Sequence, residues 1–261
     1  MTDKPTDLTP WASLKEFTDA RIALGRAGTS LPTRELLAFN AAHAAARDAV
    51  HAAADFEVLE GALKEAGEVV LHVHSRATDR AEYLRRPDLG RTLAPESLTD
   101  LEGQPSSDVV IVVADGLSAG ALAHVGPLLA LLLPELRGAG LSIGPTVLAR
   151  QARVALGDDV ALAVGAKLVL VLIGERPGLS SPDSLGAYLT YAPQPLTRDS
   201  ARNCVSNIRP AGLGVRGAAW RLAHLIRQAL RRELSGIALK DEAGEPPVAF
   251  ASPELARLPR G

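Results

Sequence analysis

Apolar positions change period along the chain. Up to about residue 65 they recur at helical spacing; beyond it they gather into short runs of strand length. Leu14, Phe17, Thr18, Arg21, Ile22 and Leu24 form an imperfect helical stripe that stops at Gly25-Arg-Ala-Gly28. Pro32-Thr33 opens the next segment. Residues 34–53 are Ala-rich, with Leu36, Leu37, Phe39 and Asn40 leading, which predicts a long helix. From residue 66 the signal is that of strands. Residues 68–75 alternate. Residues 108–114 are a continuous β-branched run, as expected of a strand covered on both faces, and 168–173 read the same way. Residues 140–148 predict another strand, and 186–191 a further strand or a sheet edge. Residues 122–136 predict a helix with Pro127 near its start. Residues 215–234 form an amphipathic helix, with Leu222, Ile226 and Leu230 on one side and Arg221, His224 and Arg231 on the other.

Buried strands alternating with helices imply a mostly parallel sheet covered on both faces. The expected class is α/β, a Rossmann-like doubly wound sheet with a helical N-terminal region. The expected division is a helical region over 1–65 and the α/β domain over 66–261, whose Pro-rich tail is expected to be loose.

Composition narrows the function classes. A net charge of −2 gives no electrostatic reason to expect nucleic acid or an anionic membrane. Aromatics at 3% argue against a base-stacking platform. No apolar run reaches bilayer length: Leu128–Leu133 meets Pro134, and Lys167 interrupts 160–173. The amino terminus lacks a signal-peptide core. Cys204 is the only cysteine, which fits a reducing, cytoplasmic compartment.

The stretch Gly174–Pro193 follows a buried strand and opens with a Gly/Pro/Ser loop carrying Glu175 and Arg176, the arrangement by which open α/β sheets present ligand sites. Gly116-Leu-Ser118-Ala-Gly120 matches a nucleophile elbow, so a stand-alone serine hydrolase using Ser118 is the alternative. Its acid would be Asp183 or Asp199. Its only later histidine, His224, falls mid-helix, which is poor geometry for a base. His72 and His74 share a strand face, and His43 and His51 lie eight apart on a helix; neither pair has metal-ligand spacing with a third ligand. The Arg/Asp-rich segment 76–91 reads as a solvated charged loop or a subunit interface. Cys204 reads as a small hydrophobe with polar neighbours Asn203, Ser206 and Asn207. Neither GxGxxG nor GxxxxGK[ST] occurs.

Gly25-Arg-Ala-Gly28, Arg86–Arg91, Asp115–Ser118, Val171–Leu179, Cys204–Ile208 and Ser235-Gly-Ile237, in this order and spacing, resemble the small (light) subunit of ethanolamine ammonia-lyase over residues 12 to 239. The resemblance implies an enzyme that uses adenosylcobalamin to convert ethanolamine to acetaldehyde and ammonia by radical chemistry. It implies a barrel-type large subunit as partner, in a hetero-oligomer of equal numbers of both chains such as a heterododecamer. This chain would cover the cobalamin and be inactive alone. The cofactor contacts implied are Val154, Glu175 and Cys204, with Arg153, Arg176 and Asn207 in second rank. Asp-x-His-x-x-Gly does not occur, which is compatible with the base-on cobalamin expected here, with no ligand to cobalt from this chain. Longer amino-terminal extensions in relatives serve solubility or packaging into a bacterial microcompartment, which is left open here.

Overall fold

The two runs read as strands covered on both faces lie side by side at the middle of one sheet. The computed structural model describes residues 11–247 and 250. In chain order its elements are α1 (Thr33–His51), α2 (Glu57–Glu65), β1 (Val70–His74), α3 (Arg80–Arg85), α4 (Pro95–Leu101), β2 (Val109–Ala114), α5 (Val125–Gly138), β3 (Ile143–Arg150), α6 (Leu156–Ala163), β4 (Leu168–Gly174), β5 (Leu185–Tyr191), β6 (Asn203–Ile208) and α7 (Val215–Arg232). The sheet order is β1-β3-β2-β4-β5-β6. The first three pairings are parallel and the last two antiparallel.

This order dictates where the helices lie. The chain steps from β1 over β3 to β2, back to β3, then over β2 to β4. Crossovers of one constant hand must then place α4 and α6 on one face and α5 on the other. The core divides accordingly. Val110, Val112 and Ala114 pack with Leu156 and Val160 of α6, whereas Ile111 and Val113 pack with Leu129 and Leu132 of α5 and Leu222 of α7. Successive β2 residues thus face opposite layers, and all six are buried. The α/β class and mostly parallel sheet are as expected. The strand order differs from the 3-2-1-4 arrangement of a dinucleotide-binding half.

Several local expectations change. The stripe over 14–24 forms only a 3-10 turn, Ala12–Glu16, because Leu14 and Phe17 are exposed and find no core to cover them. Pro134 does not end α5, which runs on to Gly138. Pro134 sits on the exposed side of the helix, where the carbonyl it leaves unbonded can meet water. Residues 119–138 therefore match a membrane span in length and apolarity, yet Leu128, Leu129, Leu132 and Leu136 are buried in the core. Part of the tail is docked: Trp220 donates to the Ala243 carbonyl (2.9 Å), and Phe250 packs edge-on against its ring. The rest of the tail, 248–249 and 251–261, lies outside the described residues, as do residues 1–10. Helix α2 joins the same core as α5 through Phe56, Leu59 and Leu63, while α1 buries only Ala46.

Asp108, just before β2, ties the starts of three neighbouring strands. Its carboxylate accepts from Lys167 Nζ ahead of β4 (2.8 Å), and from the backbone N–H (2.9 Å) and hydroxyl (2.8 Å) of Ser142 ahead of β3. The Lys167 bond above all, then the Ser142 amide, pulls its pKa down from 3.8 to about 2. A depressed carboxylate pKa contributes stability above its unfolded value, lost as pH falls through the folded one. Asp108→Asn is therefore expected to melt below wild type at pH 5, with the gap closing between pH 3.8 and about 2. A gap independent of pH across that range would show that the carboxylate is not responsible.

Candidate functional site

A cavity of about 590 Å³, open on one side, lies at the carboxyl ends of the central strands. The connection after β2 leads to one face of the sheet and that after β3 to the other, so the chain parts between them. Such a crevice is where open α/β sheets hold ligands. Leu117 and Val154 come from its two sides, Ile173 and Glu175 from the end of β4, and Tyr188 and Cys204 from the antiparallel strands.

Asp115 holds the crevice in shape. It is almost fully buried at the end of β2, and its oxygens accept the backbone N–H groups of Gln151 (3.0 Å) and Ala152 (3.1 Å). Gln151 has φ +54°, a left-handed conformation unfavourable for its side chain, and these two bonds hold the loop there. Burial pushes the Asp115 pKa up, while the two amides and the Arg80 guanidinium at 3.7 Å oppose that rise. The loop so fixed delivers Arg153 and Val154 to the cavity.

Arg80 and Tyr83 extend this support. Arg80 donates to the carbonyls of Val50, at the end of α1, and Gly116. Tyr83 is fully buried and donates to the Ala152 carbonyl (3.0 Å). The guanidinium groups of Arg80 and Arg153 stand 5.0 and 4.3 Å from its ring centroid. The segment 76–91 is thus a packed brace, not a solvated loop throughout. Its charges misled because arginine stacking on a ring looks, in one dimension, like surface charge.

Two backbone turns meet where β2 and β4 end. Leu117 N–H donates to the Gly174 carbonyl (2.9 Å). Gly116 has φ +55°, and a Cβ there would overlap that same carbonyl; a Cβ on Gly174 would overlap the Ser118 carbonyl. Glycine is required at both positions for the floor to close.

Glu175 stands at the far edge. Its backbone N–H donates to the Ser184 carbonyl (2.9 Å). Its Oε2 accepts a short bond from the Ser184 hydroxyl and another from the Asn207 N–H (3.2 Å). Asn207 is left-handed (φ +56°), in the irregular stretch where β6 shifts register against β5. Arg176 is exposed beside it. Cys204 is exposed on β6, contrary to the buried small residue expected, because β6 is an edge strand burying only Val205 and Ile208. Desolvation against the sheet raises its thiol pKa; neighbouring Tyr188 opposes this and the Glu175 charge adds to it. A thiol so held is not a poised nucleophile.

Arg202 closes the remaining side. It is buried and forms a bidentate pair with Asp158 of α6 (2.7 and 2.6 Å), with Asp199 at 3.5 Å. Asp199 also faces Arg91 at 3.5 Å. The cavity therefore offers an apolar floor, two carboxylates, Glu175 and the arginine-paired Asp199, and arginines at its rim. That is a surface for binding a large, partly polar ligand.

The structure brings Val154, Glu175 and Cys204, and with them Arg153 and Arg176, to this one cavity. The hydrolase constellation does not assemble. Ser118 is buried with its hydroxyl donated to the Pro182 carbonyl (2.6 Å). Asp183 faces His124 (3.4 Å), and His224 stays mid-helix in α7. His72 and His74 lie half-exposed beside Glu60 and Glu96. Sequence reasoning missed Tyr83, Asp115 and Arg202. A buried carboxylate at a strand end followed by glycine was the signal available for Asp115.

The family model described as ethanolamine ammonia-lyase light chain (EutC) matches residues 8–240. The chain is 54% identical over 233 residues to the ethanolamine ammonia-lyase small subunit of Rhodopseudomonas palustris, covering 88% of this chain and 89% of the relative. It is 51% identical to the protein of that name from Ralstonia nicotianae (94% and 93% covered), and 52% to that from Azotobacter vinelandii (93% of each).

Asp115→Asn supplies one acceptor oxygen where two amides need acceptors. An unsatisfied buried amide is expected to cost about 1–3 kcal/mol. Denaturant melts of the isolated chain measure this, and an unchanged midpoint would remove Asp115 as the anchor of the 151–154 loop.

Proposed function

The chain belongs to the ethanolamine ammonia-lyase light-chain (small-subunit) family, and on that basis we propose that its open cavity is one wall of an adenosylcobalamin site completed by the large subunit. The observation that carries this reading is the convergence of Val154, Glu175 and Cys204, from three separate elements, on one concavity at the carboxyl ends of the strands.

The residues present suit the group. Leu117, Val154 and Ile173 offer apolar contact to a macrocycle edge. Glu175 offers a carboxylate oxygen to amide N–H or hydroxyl donors, and charge-assisted bonds of this kind are the stronger ones. Cys204, small and exposed, allows close approach of a bulky ligand. A cavity open on one side leaves the ligand's other face to a second polypeptide.

When bound, adenosylcobalamin supplies the radical chemistry that converts ethanolamine to acetaldehyde and ammonia. This chain's residues bind, orient and exclude water. In this reading its role is exercised in the complex with the large subunit, and it is inactive alone.

Glu175→Gln, in a complex reconstituted from both subunits, is expected to weaken cobalamin binding about tenfold, the loss of one charge-assisted hydrogen bond. Titration of wild-type and variant complexes with cobalamin measures it. Equal affinities would remove Glu175 from the site.

A further inference from the structure

The two oxygens of Glu175 are in unequal situations. Oε2 takes both internal donors, the Ser184 hydroxyl and the Asn207 N–H. Oε1 has no hydrogen-bond partner among the described residues. The carboxylate end lies across Gly186 of β5, where a Cβ would stand 2.9 Å from Oε1, 3.0 Å from Glu175 Cγ and 3.2 Å from the Tyr188 ring. Gly186 does not have a positive φ, so backbone conformation does not call for glycine here. What calls for it is the space the Glu175 side chain occupies.

Ser184 is itself buried, and it grips Glu175 twice: its carbonyl accepts the Glu175 N–H and its hydroxyl donates to Oε2. A side chain held at backbone and carboxylate, lying in a trough left by a missing Cβ, has little rotamer freedom left to lose on binding. Preorganisation of this kind raises affinity without adding a contact.

We infer that Ser184 and Gly186 are positioning residues for the cofactor: they engage Oε2 and seat the side chain so that Glu175 presents one acceptor, Oε1, to a neutral N–H or O–H donor on the ligand. This rests on the reading of Glu175 as a cofactor contact. Neither residue touches the ligand. An anionic group would be repelled at this point, so the partner is an amide or hydroxyl of the cofactor.

The test uses complexes reconstituted from both subunits, titrated with cyanocobalamin and followed by absorbance. The free variant chains are melted in parallel. Ser184→Ala is expected to weaken binding about three- to tenfold, the worth of one hydrogen bond. Ser184→Thr, which keeps the hydroxyl, is expected to recover most of that loss. In the Glu175→Gln background, Ser184→Ala is expected to add no further loss, because its effect runs through the carboxylate. Gly186→Ala keeps every bonding group, displaces the carboxylate, and is expected to weaken binding as well; it carries the test should Ser184→Ala fail to fold. Wild-type affinity in a folded Ser184→Ala or Gly186→Ala complex overturns the positioning role and leaves the Glu175 contact standing. So does a full additional loss in the double variant. Wild-type affinity in Glu175→Gln removes the contact itself and this inference with it.

Discussion

The buried carboxylate of Asp115 is the constraint on which the cavity depends. A parallel sheet whose crossovers change direction leaves a gap where two neighbouring strands send their chains to opposite faces. That gap would be a floppy seam without a tie. Asp115 supplies it by accepting two backbone amides from the far side, at the cost of burying a charge. Burial disfavours that charge and raises the Asp115 pKa, and two amide donors and a nearby guanidinium offset this only in part. Gln151 can remain left-handed only because its amide is held in this way.

From that tie the rest of the wall follows in layers. The fixed loop sets Arg153 against the buried Tyr83 ring, and Tyr83 returns a hydrogen bond to Ala152 in the same loop. Gly116 and Gly174 let the turns after β2 and β4 touch, closing the floor. On the opposite side the buried Arg202–Asp158 pair joins the segment before β6 to α6. Asp108 does the corresponding work at the starts of the same strands. The sheet's core is apolar, and its strand ends are pinned by carboxylates. This division separates what makes the fold stable from what gives the cavity its outline.

The proposed cofactor role draws on the same economy. A ligand-facing carboxylate is useful only if it is held in one place. Glu175 is held by Ser184, just ahead of β5, and by Asn207 in the irregular end of β6, neither adjacent to it in sequence. Its Oε2 takes both internal bonds, while its Oε1 takes none among the described residues.

The amino-acid sequence by itself determined the class of fold and the family. Uninterrupted β-branched runs such as 109–113 are best satisfied between two covered faces, and a block such as Gly174–Leu179 is specific enough to identify relatives. That Glu175 lies in the cavity lining was legible, because a residue directly after a buried strand sits at the carboxyl edge of the sheet. Tertiary structure alone decided the strand order, the exposure of Cys204 on an edge strand too polar to announce itself, and the burial of Tyr83 and Arg202. It also settled the fate of Ser118, whose motif is local but whose hydroxyl is taken by Pro182, far along the chain. The physical reason is common to these cases. Periodicity reports which face of an element is covered, whereas a polar group's partner depends on chain brought close by the sheet, and sequence spacing carries no record of that proximity.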